Sequence, residues 1–351
     1  MKRQQTNKQL IIYSLFNQTI STMKKFLMIA AACVALASCA KNEVAPIVVD
    51  ESPIGFQAVV GLENTRAAVD AIATTDKFMA SAFLLNENKT WDANSGEAQQ
   101  YFVNQEVAYT DKWTTTPSYY WPSKGSLTFF AHYPATSSIA KFDGIDYVFE
   151  DYNVDTYKNT DLMVADVVAD KVANEVPVTF RHKLTRIGIS AIKMDATDVA
   201  NRTVTLTSVK LTNLKNQGTL TQTGQTGATA WGDHSGTQTY ELLTGAQVVT
   251  AYNDGAQDPQ AISTDQIFFL PQEFASDAAK IIITYTVTTP IAGGIGNSVE
   301  TIVKESPLSA HSNFGMNCWY TFNLQIGAAQ PIIWEQPVVD GWATATFNIA
   351  I

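Results

Sequence analysis

The chain has 351 residues, 46% of them hydrophobic, and 33 acidic side chains against 23 basic ones for a net charge of −10. That is ample chain to bury a core, and the acidic balance argues against nucleic acid and against peripheral binding to anionic lipid. The cysteines Cys33, Cys39 and Cys318 and the scattered histidines His132, His182, His234 and His311 give no metal-ligand cluster and no repeated disulfide spacing. No metal and no cofactor are therefore expected.

In chain order, Met23-Lys24-Lys25 is a short positive segment, followed by the apolar run Phe26 to Leu36 and then Leu36-Ala37-Ser38-Cys39. This is the layout of a secretory signal peptide, and its end resembles the bacterial lipobox, in which the cysteine becomes the lipid-bearing first residue. Residues 1–38 are expected to be removed, with 1–22 reading as an extension upstream of the signal's own start. Lipidation is assigned to Cys39, and contact with the membrane would run only through that lipid. From Cys39 onward 313 residues remain, with 18 basic against 33 acidic side chains. Cys318 is then left alone, which rules out an intramolecular disulfide and suggests a small core residue beside Trp319.

Ile54 to Val60 is an apolar, strand-like run with Gly55 near its start, where glycine weakens a strand. Arg66 follows, the first basic residue after Lys41, set among small and polar neighbours. Beyond it, alternating β-branched and aromatic runs predict strands over 78–85, 127–133, 203–211, 266–270, 281–288 and 319–326. The nearest approach to an amphipathic helix, Thr65 to Ala73, is short. Many short strands with turn signals every 8 to 15 residues read as β-sandwiches. A domain joint is expected near Pro177 to Leu184, dividing 39–178 from 179–351. The Thr/Gly/Gln-rich stretch 216–239 reads as turns or a hairpin.

Candidate chemistry is sparse. There is no G-x-S-x-G, H-E-x-x-H or phosphate-binding loop, so no catalytic residue is assigned. His182, beside Arg181 and Lys183, reads as structural because no partner acid lies at a telling spacing. Asp143, Asp146, Glu150, Asp151 and Asp155 lack the frame of a calcium loop and read as a solvated face. Trp113, Tyr119, Tyr120 and Trp121 read as core aromatics, with a sugar-stacking platform as the alternative. The last residues, "ATATFNIAI", put Ala343, Ala345, Phe347, Ile349 and Ile351 on one face of a clean alternating strand. Such a strand completes either its own sheet or that of another subunit.

The lipobox, "IGFQA" followed by "TRA", "YYWPSKGSLTFFAHYP", "TDLMVA", "VPVTFRHKLTRIGI", "FFLPQ" and "CWYTFNLQI…GW" together resemble the fimbrillin family, the lipoprotein precursors of type V pili in Bacteroides-like bacteria. The resemblance covers most of residues 39–351. It implies an all-β chain of two tandem transthyretin-like Greek-key β-sandwich domains, without enzymatic activity, at the outer membrane and in a surface fimbrium. It also implies assembly by donor-strand exchange. A maturation protease with arginine or lysine preference would cut after Arg66, release 39–66 with the lipid, and leave Ala67 as the new N-terminus. The vacated groove would take a strand like Ala343 to Ile351 from another pilin subunit, and a host or bacterial surface receptor is a further implied partner. The competing expectation is a monomeric, lipid-anchored surface protein that binds glycans or host ligands through Trp113 or Trp121.

Overall fold

The computed structural model describes residues 49–61, 72–135, 140–157, 160–193, 202–249, 260–262, 268–326 and 345–350. Contacts divide the chain into units 1–48 and 49–351, and the first lies outside the described residues. The expected all-β character holds. In the described residues the longest α-helix is a single turn, α1 (Trp91–Asn94), and apart from two 3-10 turns at Ser95–Glu97 and Leu308–Ala310 the rest of the regular structure is strand.

The first group of strands runs β1 (Val49–Pro53), β2 (Gly55–Val60), β3 (Lys77–Leu85), β4 (Gln99–Tyr109), β5 (Trp113–Thr115), β6 (Tyr120–Pro122) and β7 (Ser126–Tyr133). It continues through β8 (Ala140–Asp143), β9 (Asp146–Asn153), β10 (Met163–Ala165), β11 (Val168–Lys171) and β12 (Val176–His182). The main sheet has the order β10-β12-β2-β5-β4-β3-β7-β11. Because β7 also pairs with β10 (Met163↔Tyr133, Val164↔His132), seven of these strands close into a ring. Its core holds Ile54, Phe56, Phe78, Trp113, Trp121, Leu127, Phe129, Val178 and Phe180.

The near-continuous burial of β3 and β7 has a direct cause. One face, Phe78, Ala80, Ala82 and Leu84 with Leu127, Phe129 and Ala131, fills the ring. The other, Phe83, Leu85 and Phe130, packs against Tyr147, Phe149 and Leu220 in a second cluster. A strand buried on both faces cannot alternate apolar with polar, which explains "KFMASAFLL" and "SLTFFAHY".

The second group runs β13 (Thr185–Lys193), β14 (Thr203–Leu214), β15 (Gln217–Gln222), β16 (Thr229–Ser235), β17 (Gln238–Glu241) and β18 (Gln247–Val248). It ends with β19 (Gln260–Ile262), β20 (Phe268–Phe269), β21 (Lys280–Pro290), β22 (Asn297–Pro307), β23 (Cys318–Ile326) and β24 (Ala345–Ala350). One sheet has the order β19-β13-β23-β24, with β20 also on β13. A second has the order β17-β14-β21-β22, with β18 also on β14. Their facing residues, among them Ile187, Ile189, Phe322 and Leu324 against Leu206, Leu211, Ile283 and Tyr285, share one core. The predicted hairpin in 216–239 is β15 and β16 (Leu220↔Trp231). It does not stand alone, because β15 also pairs with β9 in the sheet β16-β15-β9-β8.

In β9 the buried positions shift from Tyr147 and Phe149 to Tyr152, and Val154 just after the strand is buried too. The register slips between Gly218 and Leu220, and Asp151 sits at φ 51°. One extra residue in a strand moves every later side chain to the opposite face. The bulge is therefore what lets β9 bury aromatics along its whole length.

A polar chain crosses this aromatic layer. His132 Nδ1 on β7 meets the Tyr147 hydroxyl on β9, which donates to Asn104 Oδ1 at 3.1 Å. Asn104 in turn donates through Nδ2 to the Ala140 carbonyl at 2.7 Å and through its backbone N–H to Ser81 Oγ at 2.9 Å. Burial lowers the His132 pKa from 6.5 to about 3. The unfolded chain then binds a proton that the folded chain refuses between those values, so stability is complete above about pH 6.5 and falls as pH drops. In urea titrations from pH 6 to pH 4, the difference between the native chain and His132→Gln should shrink by about 1.4 kcal/mol per pH unit. A pH-independent difference would mean that the imidazole is not held neutral.

Candidate assembly strands

Gly55 does not break up the early strand from within. The interruption falls at Ile54, between β1 and β2, where the Ile54 N–H donates to the Tyr119 carbonyl at 2.8 Å. Gly55 opens β2, and a Cβ there would meet only ordinary contacts, the nearest at 3.7 Å. Gly61 ends it under tighter constraint, since a Cβ would lie 2.6 Å from Thr179 Cγ2.

The strand β2 lies inside the ring. It runs parallel to β12 over five residue pairs, Val176↔Phe56 to Phe180↔Val60. On its other side it meets β5 antiparallel at two, Gly55↔Thr114 and Phe56↔Trp113. Ile54, Phe56, Ala58 and Val60 are buried while Gln57 is exposed, as the alternation predicts. The Phe56 ring packs edge-on against Phe78 at 5.9 Å and Phe129 at 5.8 Å. At roughly 1.5–3 kcal/mol for each large apolar side chain, burying Ile54, Phe56 and Val60 contributes about 5–9 kcal/mol as an upper estimate. That matches the net stability of a whole domain. Beyond this strand, Ile72 is buried in the same core.

Cys39, Arg66, Ala67, Ala343 and Ile351 lie outside the described residues. Ala345, Phe347 and Ile349 fall on β24, which pairs parallel with β23 in the register Tyr320↔Ala345 to Gln325↔Ala350. Ala345, Phe347 and Ile349 are thus in register with Tyr320, Phe322 and Leu324, which are themselves buried. In this structure the C-terminal strand occupies the outer position of its own chain's sheet.

The other flagged residues fall into place individually. Trp113 and Trp121 are 7% and 2% exposed and lie in the ring core, as the core reading expected and against the alternative of a sugar platform, and only Tyr120 of that group is exposed. His182 has an acidic partner after all. Asp161, 21 residues earlier, contacts its Nδ1, and burial raises the Asp161 carboxyl above its usual range against the pull of the imidazole. Spacing could not reveal the pair, because it forms where β10 crosses to β12 (Met163↔His182). Nearby, the Arg186 guanidinium stacks 3.9 Å from the centre of the Trp319 ring. Four of the five acids hold separate partners instead of converging, and Asp143 is exposed. Asp146 accepts from the Gly224 N–H, Glu150 pairs with Lys141, Asp151 accepts from Gln217, and Asp155 accepts from Asn216 and Tyr240. No group of three or more metal-binding side chains occurs among the described residues. Cys318 is half-buried at the margin of its core instead of inside it, with Sγ 3.5 Å from the Met316 carbonyl. One feature escaped the sequence reading. An open cleft of about 530 Å³ is lined by Trp231, Pro271, Phe314 and Met316, with Lys215 and His234 among its polar groups.

A sequence profile described as Fimbrillin-like matches residues 65–342. The chain belongs to the fimbrillin-like family. No curated protein matches it. Among solved structures, a fimbrial protein from Bacteroides vulgatus is similar at 20% identity and TM-score 0.61, over 83% of this chain and 99% of that one. A candidate cell adhesion protein from Bacteroides uniformis is similar at 20% identity and TM-score 0.48, over 85% of this chain and 98% of that one. At 20% identity the first likeness speaks for the fold. The span matched to the family leaves out β1, β2 and β24, so the strands at the two ends of this fimbrillin-like chain have to be read from their own geometry.

Replacing Phe56 by Ala should lower stability by about 3–5 kcal/mol and speed amide exchange in β2 more than in β14 or β21. Equal protection of β2 in both proteins would show that the ring core is not what holds this strand.

Proposed function

We propose that the chain is a fimbrial subunit, displayed at the cell surface for adhesion and joined to its neighbours by strand exchange. Its role is structural and not enzymatic. The observation that carries this reading is the position of β2, a strand near the chain's start inserted between β12 and β5 of a closed ring. An arginine follows it, just where the family match begins.

Cleavage after Arg66 would take β1 and β2 away together with Cys39 and its lipid, leaving Ala67 as the first residue. The edges of β12 and β5 would then lack partners, and Phe78 and Phe129 would line an open groove. An unpaired edge above an apolar groove binds an extended strand through main-chain hydrogen bonds and side-chain pockets at every second residue. The strand "ATATFNIAI" has that pattern, with Ala343, Ala345, Phe347, Ile349 and Ile351 in alternation. Among the described residues its one neighbour is β23, so donation would detach it from the outside of a sheet. Donation from one copy into the next is head-to-tail and builds an open filament. In this reading the ring that holds β2 accepts a strand and the sheet that ends in β24 donates one. The partners are other pilin subunits, a maturation protease of the outer membrane and a surface receptor.

Ligand binding by a monomeric surface lipoprotein remains the second reading. It is favoured by the Trp231 cleft and no longer by Trp113 or Trp121. Glycan retention lost in Trp231→Ala would support it.

Limited digestion of the full chain with an arginine-specific protease should yield a product starting at Ala67 and then ladders stable in cold detergent. Arg66→Ala should abolish both, and Phe347→Ser should allow the cut but reduce ladder formation at least about tenfold, the effect of losing roughly 1.4 kcal/mol at one pocket. Cutting elsewhere, or a ladder indifferent to both substitutions, would refute strand exchange.

A further inference from the structure

The hairpin of β21 and β22 carries an edge that neither the family assignment nor the exchange strands use. β22 pairs with β21 along all eleven of its residues, Lys280↔Pro307 to Pro290↔Asn297. Among the described residues no strand pairs with its other side. An edge this long presents a row of unpaired main-chain donors and acceptors. Proline, which would interrupt that row, stands only at its last residue, Pro307. Apolar side chains accompany it. Val299 and Val303 are 61% and 60% exposed, and Ile295 at the hairpin tip is 83% exposed.

Charges usually protect such an edge, and here their order is informative. Glu300 and Lys304 sit two residues either side of Ile302, on the strand face that carries Ile302. Neither takes part in the chain's ion pairs among the described residues. The hairpin's own bridge uses Lys280 and Glu305 at 2.8 Å. In a parallel, in-register contact between two copies, Glu300 would face Glu300 and Lys304 would face Lys304. In antiparallel contact centred on Thr301, Glu300 would face Ile302 and Lys304 would face Ser298. Centred on Ile302, each Glu300 faces the Lys304 of the other copy, twice by symmetry, and the two Ile302 side chains meet on the axis. On the opposite face Thr301 meets Val303, and Val299 meets Glu305. One register alone satisfies both charges, and cross-strand pairs of opposite charge are stabilising where like pairs are not.

We propose that β22 is an association edge through which two copies of this chain join antiparallel about a twofold axis at Ile302. The contact is isologous, so it closes on itself and stops at two. It uses none of the strands invoked for filament growth and would tie subunits side by side. Edge pairing buries less than a standard interface, so the association is weak and concentration-dependent.

Sedimentation velocity on the full, unprocessed chain across a concentration series tests this. The native chain should show a monomer–dimer equilibrium. Glu300→Lys and Lys304→Glu should each weaken it about tenfold or more, and the double exchange should restore it to within about threefold of the native value. Disulfide trapping provides a readout independent of affinity. Under oxidation Ile302→Cys should give a covalent dimer above the background of the native cysteines, and Val299→Cys, whose two copies lie far from the axis, should not. A native chain that stays monomeric, a dimer indifferent to the single reversals, failure of the double exchange to restore it, or trapping through Val299→Cys would each overturn the proposal. Unchanged thermal midpoints confirm that the variants are folded.

Discussion

The first core is a ring of main-chain hydrogen bonds, and β2 is the strand that completes it. With β2 in place, β12 and β5 have neighbours and the aromatic cluster of Phe56, Phe78 and Phe129 is sealed. Taken out, it would leave two strand edges and an apolar slot at once, each costly in water. The same short segment thus satisfies the backbone and fills the core. It comes from near one end of the described chain, held by five residue pairs on one side and two on the other.

Around that ring the structure is layered by strands that serve two cores. β3 and β7 face the ring on one side and the Tyr147–Phe149–Leu220 cluster on the other. The polar chain from His132 through Tyr147 to Asn104 passes through this second layer, where a partly satisfied network would be expensive. Its geometry depends on Asn104 at φ 47° and on the bulge at Asp151. Both are places where a strand gives up regular pairing to aim a side chain. The second group of strands is more regular, with the alternating strands β14, β21 and β23 around one core, and among the described residues β24 is the outer strand of its sheet.

How much could be read in advance depended on the range of the interaction. Six strands were legible from alternation and β-branched or aromatic composition, and the structure places them at 77–85, 126–133, 203–214, 268–269, 280–290 and 318–326. The hairpin in 216–239 was legible from its glycines and threonines, though not its pairing with β9. Asp161 and His182 were not, because their 21-residue separation carries no period. Trp113 and Trp121 were legible as core residues, since large aromatics at strand spacing are buried more often than they are displayed. Cys318 was assigned to the interior by residue type. It sits at the core's margin beside Gly315, where a Cβ would approach Cys318 Sγ to 3.0 Å.

The amino-acid order by itself determined that this chain is built of strands, where most of them lie, and that apolar alternating segments flank an acidic body whose one cysteine is Cys318. Those properties follow from side-chain period and composition, which are local along the chain. Only the tertiary structure decided that β2 closes a ring beside β12, that β24 lies parallel to β23, and that among the described residues β22 is left with an open edge. Strand pairing joins residues as far apart as Phe56 and Val176 or Arg186 and Trp319. A backbone edge is the same for every sequence, so which edges meet is settled by the packing of whole sheets and not by the residues on either strand alone.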